Sequence, residues 1–217
     1  EDGSHTIHVT ALDTKYHSTH GAIQESLHVF IHTGLDHLLQ CKRTTQIRIF
    51  EMGFGTGLNA SLTLEQALRQ RLTVYYAAVE LFPLKKNEYE QLNYADHLSI
   101  DLQKDFLHLH QCEWEKDIAI KENFMLHKSK ASLAGMQLQQ GFDLVYFDAF
   151  DPNVQPELWK TPVFQKLYAA MNNNAVLVTY CSKGDVRRTL TTCGFHVEKI
   201  PGPKGKREIV RATKDAL

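Results

Sequence analysis

Hydrophobic and polar residues follow two periods along the chain, and together they predict repeated strand and helix units from residue 47 onward. Ile47–Met52 is an apolar run that ends at glycines, as a buried parallel strand does. Leu58–Leu68 places leucine and alanine on one side of a helix. Thr73–Glu80, rich in β-branched and aromatic residues, predicts the next strand. A helix over Pro83–Leu92 follows, with proline in the first turn, where its missing N–H costs little.

The alternation continues to the C-terminus. Helical spacing predicts an inserted helix within residues 96–112 and two later helices at Pro162–Met171 and Lys183–Cys193. Strands are predicted at Phe124–Lys128, Asp143–Phe147, Ala175–Tyr180, Phe195–Ile200 and Glu208–Ala212. The last two are joined by a turn-rich segment and form an antiparallel hairpin.

Residues 1–45 do not follow this alternation. They predict a short strand at Thr6–Thr10 and a helix near Gln24–Thr33 that cap the sheet. We therefore divide the chain into residues 1–45, an N-terminal extension, and residues 46–217, an α/β domain. Repeated βα units indicate a Rossmann-like fold with a mostly parallel, seven-stranded sheet and helices on both faces.

The overall composition excludes little, but the charge is uneven. With 217 residues and a formal net charge of -1, the chain is long enough for one domain with a substantial core and carries no global charge signature. From Cys181 onward, nine basic residues face only four acidic ones. A local basic surface on a neutral protein is typical of a polyanion site, although charge clusters are usually just solvated.

The cysteine pattern and the absence of a long apolar run predict a cytoplasmic protein without a membrane segment. The four cysteines are far apart and form no CxxC pair, which favours reduced thiols. No apolar run approaches the roughly 20 residues that span a bilayer. Twelve histidines are present, but none stands in a recognisable zinc spacing, so no metal is expected.

The glycine-rich turn after the first sheet strand is the main candidate binding site. Gly53, Gly55 and Gly57 follow that strand and open a helix, an arrangement that lets a nucleotide-like ligand approach the backbone. Glu51 precedes the first glycine, where a carboxylate would repel a pyrophosphate but could bind the ammonium of a methionine moiety. This favours S-adenosylmethionine over a dinucleotide, although an NAD-binding oxidoreductase remains an alternative.

Two further carboxylates stand at the carboxyl ends of later predicted strands. Glu80 could accept hydrogen bonds from both hydroxyls of a ribose, a device that NAD sites share. Asp148 should face the pocket, because ligands in open α/β sheets bind beyond the carboxyl ends of the strands. There it could orient an acceptor amine and accept its proton, or act only as a helix cap or turn residue. Asp151, in an Asp-Pro-Asn sequence, is more typical of a turn.

At this point the motifs resemble a known family, the MnmC methyltransferase domain, which forms 5-methylaminomethyl-2-thiouridine in tRNA. The resemblance spans nearly the whole chain in the family order. It lies in Tyr16–Phe30 (YHSTHGAIQESLHVF), Glu51–Asn59 (EMGFGTGLN), Phe147–Trp159 (FDAFDPNVQPELW), Val186–Phe195 (VRRTLTTCGF) and Gly205–Ala212 (GKREIVRA).

The resemblance implies a class I S-adenosylmethionine-dependent methyltransferase that methylates the amine of 5-aminomethyl-(2-thio)uridine at the tRNA wobble position. The implied catalytic residue is Asp148. The implied cofactor-binding residues are Ser18, Glu25, Glu51, Gly53, Gly55, Gly57, Asn59, Glu80 and Asp148. The expected tRNA contacts are Lys183, Arg187, Arg188, Lys206 and Arg207.

Two departures from the family bear on this interpretation. Some members carry a fused FAD-dependent oxidase that makes the aminomethyl substrate, which 217 residues cannot also hold, so a separate enzyme would act first. After the strand near Phe124–Lys128 the sequence is Ser-Lys-Ala-Ser, without the acidic residue that often lies near the adenine. The alternatives left open are a methyltransferase or aminopropyltransferase for a small amine, and a catalytically silent RNA-binding module.

Overall fold

The computed structural model describes residues 2–9, 14–16, 21–99 and 102–215, and most of its strands belong to one sheet. Two short antiparallel strands, β1 (His8–Val9) and β2 (Thr14–Lys15), form a separate ribbon near the N-terminus. The larger sheet contains β3 (Gln46–Met52), β4 (Thr73–Val79), β5 (Asp117–Lys121), β6 (Phe124–Ser129), β7 (Phe142–Phe147), β8 (Met171–Thr179), β9 (His196–Pro201) and β10 (Glu208–Lys214).

The strand order in the larger sheet is β5-β6-β4-β3-β7-β8-β10-β9, which places β3 near the centre. β3 pairs in parallel with β4 and β7, and β6 and β8 extend the parallel part on either side. β5, β9 and β10 run antiparallel to their neighbours. The parallel pairing brings the carboxyl ends of β3, β4 and β7 to one edge, where the topology of such sheets places ligands.

Helices cover both faces of the sheet, as predicted. In chain order they are α1 (Ala22–Ser26), α2 (His37–Cys41), α3 (Leu58–Gln70), α4 (Lys86–Tyr89), α5 (Gln103–Gln111), α6 (Thr161–Ala170) and α7 (Gly184–Thr192). One core cluster joins Phe30, Phe106 and Tyr76 on the face covered by α3 and α5. The second joins Phe147 and Phe164 on the face covered by α6 and α7. In the described part of the chain, no helix is long and apolar enough to cross a membrane.

The N-terminal helix is longer than the predicted Gln24–Thr33. α1 continues without a break into a π-helical segment, Leu27–Asp36, and then into α2. This segment packs on the sheet through buried apolar side chains that belong to the same core cluster as β3 and β7. The boundary we propose at residue 45 falls in the connection between α2 and β3.

Two predicted helices are shorter in the structure. The helix expected over Pro83–Leu92 is reduced to α4, because Glu80 accepts the Phe82 N–H at 2.9 Å and holds the preceding residues in a turn. The Lys85 N–H then donates to the Glu88 side chain at 2.6 Å, and the helix begins after it. The single inserted helix predicted within residues 96–112 is replaced by a 3₁₀ turn at Tyr94–His97 and by α5.

The sheet has one strand more than predicted. β5 pairs antiparallel with β6 at the edge of the sheet, through a two-residue connection. Its sequence, Asp-Ile-Ala-Ile-Lys, has three apolar residues between two charged ones and is too short to stand out from its surroundings. The strand expected at Thr6–Thr10 pairs only at β1, and Thr10 lies outside the described residues.

Close contact between the π-helical segment and the sheet generates a stability prediction at Gly34. A Cβ at Gly34 would lie 3.0 Å from Val178 Cγ2 and 3.4 Å from Leu144 Cδ1. Gly34→Val should therefore lower the free energy of unfolding by about 1–3 kcal/mol through overpacking. Urea unfolding measures this change.

The matched control is Gly135→Val, because Gly135 is exposed and the nearest atom to its Cβ position is 4.0 Å away. We expect this control to change stability by no more than about 0.5 kcal/mol. Equal effects at the two positions would contradict close packing at Gly34.

Candidate active site

A cavity of about 840 Å³ lies at the carboxyl ends of β3, β4 and β7. Its walls come from the glycine turn after β3, from Glu80–Phe82 after β4 and from Asp148–Asp151 after β7. Residues of the N-terminal segment and the β9–β10 connection close the sides, through Tyr16, Glu25 and Lys206. The cavity therefore lies where the predicted strand ends meet.

The glycine turn is held against β4 and leaves its inner side open. The N–H groups of Gly53 and Phe54 donate to the Val79 carbonyl at 3.0 and 3.2 Å. Gly53 and Gly55 have φ values of 89° and 47°, in the region that favours glycine. A Cβ at Gly55 would lie 2.8 Å from the Tyr16 ring, so only glycine fits beneath this aromatic side chain. Gly57 begins α3 and does not line the cavity.

Glu80 is held by backbone donors at the cavity wall. Its two carboxylate oxygens accept the Gly55 N–H at 3.1 Å and the Phe82 N–H at 2.9 Å. A carboxylate offers about four acceptor positions, so this arrangement leaves capacity for further donors from the cavity. The geometry suits a pair of ribose hydroxyls, the role expected for this residue.

Asn59 joins two carboxyl groups at the base of the cavity. Its Nδ2 group donates to Glu51 Oε1 at 3.0 Å and to Asp148 Oδ2 at 2.9 Å. Asn59 and Asp148 line the cavity, whereas Glu51 lies behind them and is only 1% exposed. Burial raises the pKa of Glu51 well above its usual range, and the neighbouring Asp148 adds to this effect. Burial also raises the pKa of Asp148, to about 7.

This group has more acceptors than donors. Among the described residues, Asn59 Oδ1 is buried and receives no hydrogen bond, while the Tyr76 hydroxyl is the further donor that faces Glu51. Buried acceptors of this kind are costly unless a donor reaches them. A cationic ligand with N–H groups, such as the ammonium of a methionine moiety, fits this chemistry. The residues present therefore fit S-adenosylmethionine.

Glu25 and Lys206, which both line the cavity, form an ion pair although they are far apart in the sequence. The Lys206 ammonium also lies over the Tyr180 ring, 4.0 Å from its centroid. Tyr180 is fixed in turn by donating to the Ala149 carbonyl at 2.9 Å. The structure thus places Glu25, predicted for the cofactor, beside Lys206, predicted for RNA.

The other predicted RNA contacts lie outside the cavity. Lys183 pairs with Asp151 at 2.6 Å, and Arg188 pairs with Asp185. Arg187 donates to the Ser182 carbonyl at 3.2 Å, so these side chains have intramolecular partners. Arg207 is exposed on the β9–β10 connection, and Ser18 lies outside the described residues.

Several cavity residues were not predicted from the sequence. Tyr180 follows directly after β8, and its place at the end of a strand is the only local signal for it. Ala131–Leu133 line the cavity after β6, where no acidic residue was found. His110 supports the glycine turn from behind, with Nε2 3.0 Å from the Thr56 carbonyl, and nothing in the sequence indicates this contact.

No cluster of three or more His, Cys, Asp or Glu side chains that could hold a metal is found among the described residues. The site combines a glycine turn after the central strand, an acidic residue at the end of β4 and a carboxyl group beyond β7. This is the arrangement of a nucleoside-binding site in a Rossmann-like fold. The comparison with protein families agrees. Residues 95–215 match the model of a family described as S-adenosyl-L-methionine-dependent methyltransferase, and the chain belongs to this family.

Curated relatives share most of this chain. Proteins from Cupriavidus metallidurans and Leptospira interrogans are 32% and 30% identical over 92% and 91% of it. Both are named tRNA 5-methylaminomethyl-2-thiouridine biosynthesis bifunctional protein MnmC, and the chain spans about a third of their length, 31% and 32%. A crystal structure of MNMC2 from Aquifex aeolicus matches 100% of this chain and 72% of its own, with a TM-score of 0.75 and 25% identity.

The position of Glu80 predicts its contribution to cofactor affinity. Glu80→Ala removes the acceptor for ribose hydroxyls, and we expect the Kd for S-adenosylhomocysteine to rise about 10- to 100-fold, as for other charged hydrogen bonds. Isothermal titration calorimetry measures this change. Glu90→Ala is the control, because Glu90 is exposed outside the cavity. Unchanged binding by the Glu80 variant would remove Glu80 from the cofactor site.

The raised pKa of Asp148 predicts a pH dependence of stability. The folded carboxyl keeps its proton up to about pH 7, whereas the ordinary value is 3.8. The folded state therefore holds more protons in this interval, and stability should fall as the pH rises through it. Asp148→Asn should weaken this fall, as measured by urea unfolding across the interval. Asp148 also raises the pKa of Glu51, so the difference between the two proteins reports Asp148 together with its effect on Glu51. Parallel curves would contradict the raised pKa of Asp148.

Proposed function

We propose that this chain transfers a methyl group from S-adenosylmethionine to the primary amine of 5-aminomethyl-(2-thio)uridine at the wobble position of tRNA. The observation that carries the proposal is Asp148, a half-buried carboxyl at the cavity wall that shares the Asn59 amide with Glu51. The names of the MnmC relatives, which refer to 5-methylaminomethyl-2-thiouridine in tRNA, support the substrate.

The chemistry of an amine acceptor explains why a carboxylate belongs at this position. An alkylammonium must lose a proton before its nitrogen exposes a lone pair. A carboxyl group with a pKa of about 7 can accept that proton near neutral pH and stabilise charge that develops on nitrogen. Asn59 holds the carboxylate in place, since its Nδ2 donates to Asp148 at 2.9 Å.

The remaining cavity residues divide between cofactor and acceptor. When bound, S-adenosylmethionine would supply an electrophilic methyl group that passes in line to the amine nitrogen as its bond to the positively charged sulfur breaks. Asn59, supported from behind by Glu51, would hold the ammonium of the cofactor, and Glu80 would hold its ribose. The backbone of the glycine turn would contact the cofactor. Ser18 remains a predicted cofactor residue.

The basic residues near the cavity would hold the phosphates of the RNA. The proposed contacts are Lys183 before α7, Arg187 and Arg188 on α7, and Lys206 and Arg207 on the β9–β10 connection. Such contacts position an RNA without reading its sequence. A tRNA substrate is consistent with the cytoplasmic location expected from the sequence. We also propose that a separate activity generates the aminomethyl group before this chain acts.

Asp148→Asn tests the proposal. The amide cannot accept the proton, and we expect kcat for methylation of an aminomethyl-bearing anticodon stem-loop to fall about 10²- to 10⁴-fold. Transfer of labelled methyl from S-adenosylmethionine measures the rate. Binding of S-adenosylhomocysteine should persist, which separates a chemical defect from a folding defect.

Two controls sharpen this experiment. Asp96→Asn changes an exposed carboxylate outside the cavity, and it should alter the rate by no more than about twofold. A stem-loop without the aminomethyl group should accept no label. Full activity of the Asp148 variant, or transfer to the unmodified stem-loop, would overturn the proposed function.

A further inference from the structure

The Lys206 side chain reaches into the cavity and is bound there as a primary alkylammonium. Its carboxylate partner is Glu25 on α1, which is 8% exposed, and its aromatic partner is the Tyr180 ring. A carboxylate combined with the face of an aromatic ring is a general recognition site for an alkylammonium ion. The side chains of Glu25 and Lys206 have relative exposures of 10% and 30%, so the carboxylate is the more deeply placed partner.

This pair lies in the same electrostatic environment as Asp148. The charge of Glu25 adds to burial in raising the pKa of Asp148, while the charge of Lys206 opposes it. Asp148, Glu25, Tyr180 and Lys206 all line the one cavity. A cation bound where the Lys206 ammonium lies is therefore close to the carboxyl group that the proposed reaction uses.

The backbone position of Lys206 allows its ammonium to leave. Lys206 lies on the β9–β10 connection, where its N–H donates to Pro203 and the Gly202 N–H donates to Arg207. These backbone contacts hold the turn without the side chain, and a lysine has four flexible methylene groups. Glu25 is buried and would remain in place, and a buried carboxylate favours a cation beside it. Another alkylammonium could replace Lys206 at Glu25.

We infer that Glu25 and Tyr180 form the subsite for the alkylammonium end of the acceptor, and that the Lys206 ammonium occupies this subsite until the acceptor displaces it. The inference rests on the proposed function in one respect, namely that the acceptor is a primary alkylamine. It assigns Glu25 to the acceptor and not to the cofactor. It also gives Lys206 a second state, in which its released ammonium is available to a phosphate of the RNA.

The test is binding of the nucleoside 5-aminomethyluridine, compared with uridine, in the presence of S-adenosylhomocysteine. Lys206→Met removes the competing ammonium and keeps a side chain of similar length. We expect it to bind 5-aminomethyluridine at least about fivefold more tightly than the wild type, because the subsite is no longer occupied. Glu25→Gln should weaken this binding about tenfold or more. Neither variant should change the affinity for uridine, as measured by NMR titration.

Lys199→Met is the matched control for loss of a lysine. Lys199 pairs with Glu208 at 2.8 Å on the same hairpin, outside the cavity, and its removal should leave nucleoside binding unchanged. S-adenosylhomocysteine binding reports whether each variant is folded. It also separates the two roles of Glu25, because loss of cofactor affinity in Glu25→Gln would assign Glu25 to the cofactor and overturn the inference.

The outcomes separate this inference from the proposed function. If the wild type does not methylate the aminomethyl stem-loop, the proposed function fails, whatever the result of the nucleoside-binding experiment. If methylation occurs but Lys206→Met binds 5-aminomethyluridine no more tightly than the wild type, only the subsite assignment fails. The same holds if Lys206→Met tightens binding of uridine to the same extent.

Discussion

The Asn59 side chain is the contact on which the arrangement of the site depends. One amide group donates to Glu51 at the end of β3 and to Asp148 just beyond β7, and it belongs to the first turn of α3. The strands are already aligned, because the Asp148 N–H donates to the Met52 carbonyl at 3.1 Å. Asn59 extends this backbone alignment to the side chains, so the glycine turn, the central strand and the reacting carboxyl group hold fixed relative positions.

Burying two carboxyl groups around one amide is unfavourable for stability and useful for binding. Desolvation raises the pKa of both groups, and the Asn59 amide offsets only part of the cost. A cation that enters the cavity offsets this desolvation. Part of its binding free energy therefore comes from relieving an unfavourable arrangement of carboxyl groups in the free protein. An apolar replacement for Glu51 would remove the desolvation cost and stabilise the protein, but it would also remove the attraction for an ammonium ion.

The sequence allowed the elements that carry this site to be predicted, because their signals are local. Glu51, Glu80 and Asp148 each follow an apolar run, and parallel strands bring such ends together. The helix predicted over Pro83–Leu92 is shorter in the structure, because the Lys85 N–H donates to the Glu88 side chain and α4 begins after it. β5 was missed because its pairing with β6 depends on a partner strand and not on its own composition.

The Glu25–Lys206 pair could not be predicted for a different reason. Its partners are far apart in the sequence, and each fits another role when taken alone. A lysine in a basic segment indicates phosphate binding, and an acidic residue near the start of a helix is ordinary. Only the folded chain shows that the hairpin turns back over α1, so a residue assigned to the RNA surface reaches the cavity.

The charge of the cavity explains why the two ends of a tRNA substrate would be recognised in different places. Among its described lining residues are five carboxylates, namely Glu25, Glu80, Asp148, Asp151 and Glu157, and a single lysine. Such a surface attracts a sulfonium and an alkylammonium, and it repels phosphate. A polyanionic substrate can bring its amine into this cavity only if its backbone is held elsewhere. Arg188 on α7 and Arg207 on the β9–β10 connection are exposed outside the cavity, whereas the neighbouring Lys206 lines it, so the basic segment adjoins the cavity at Lys206.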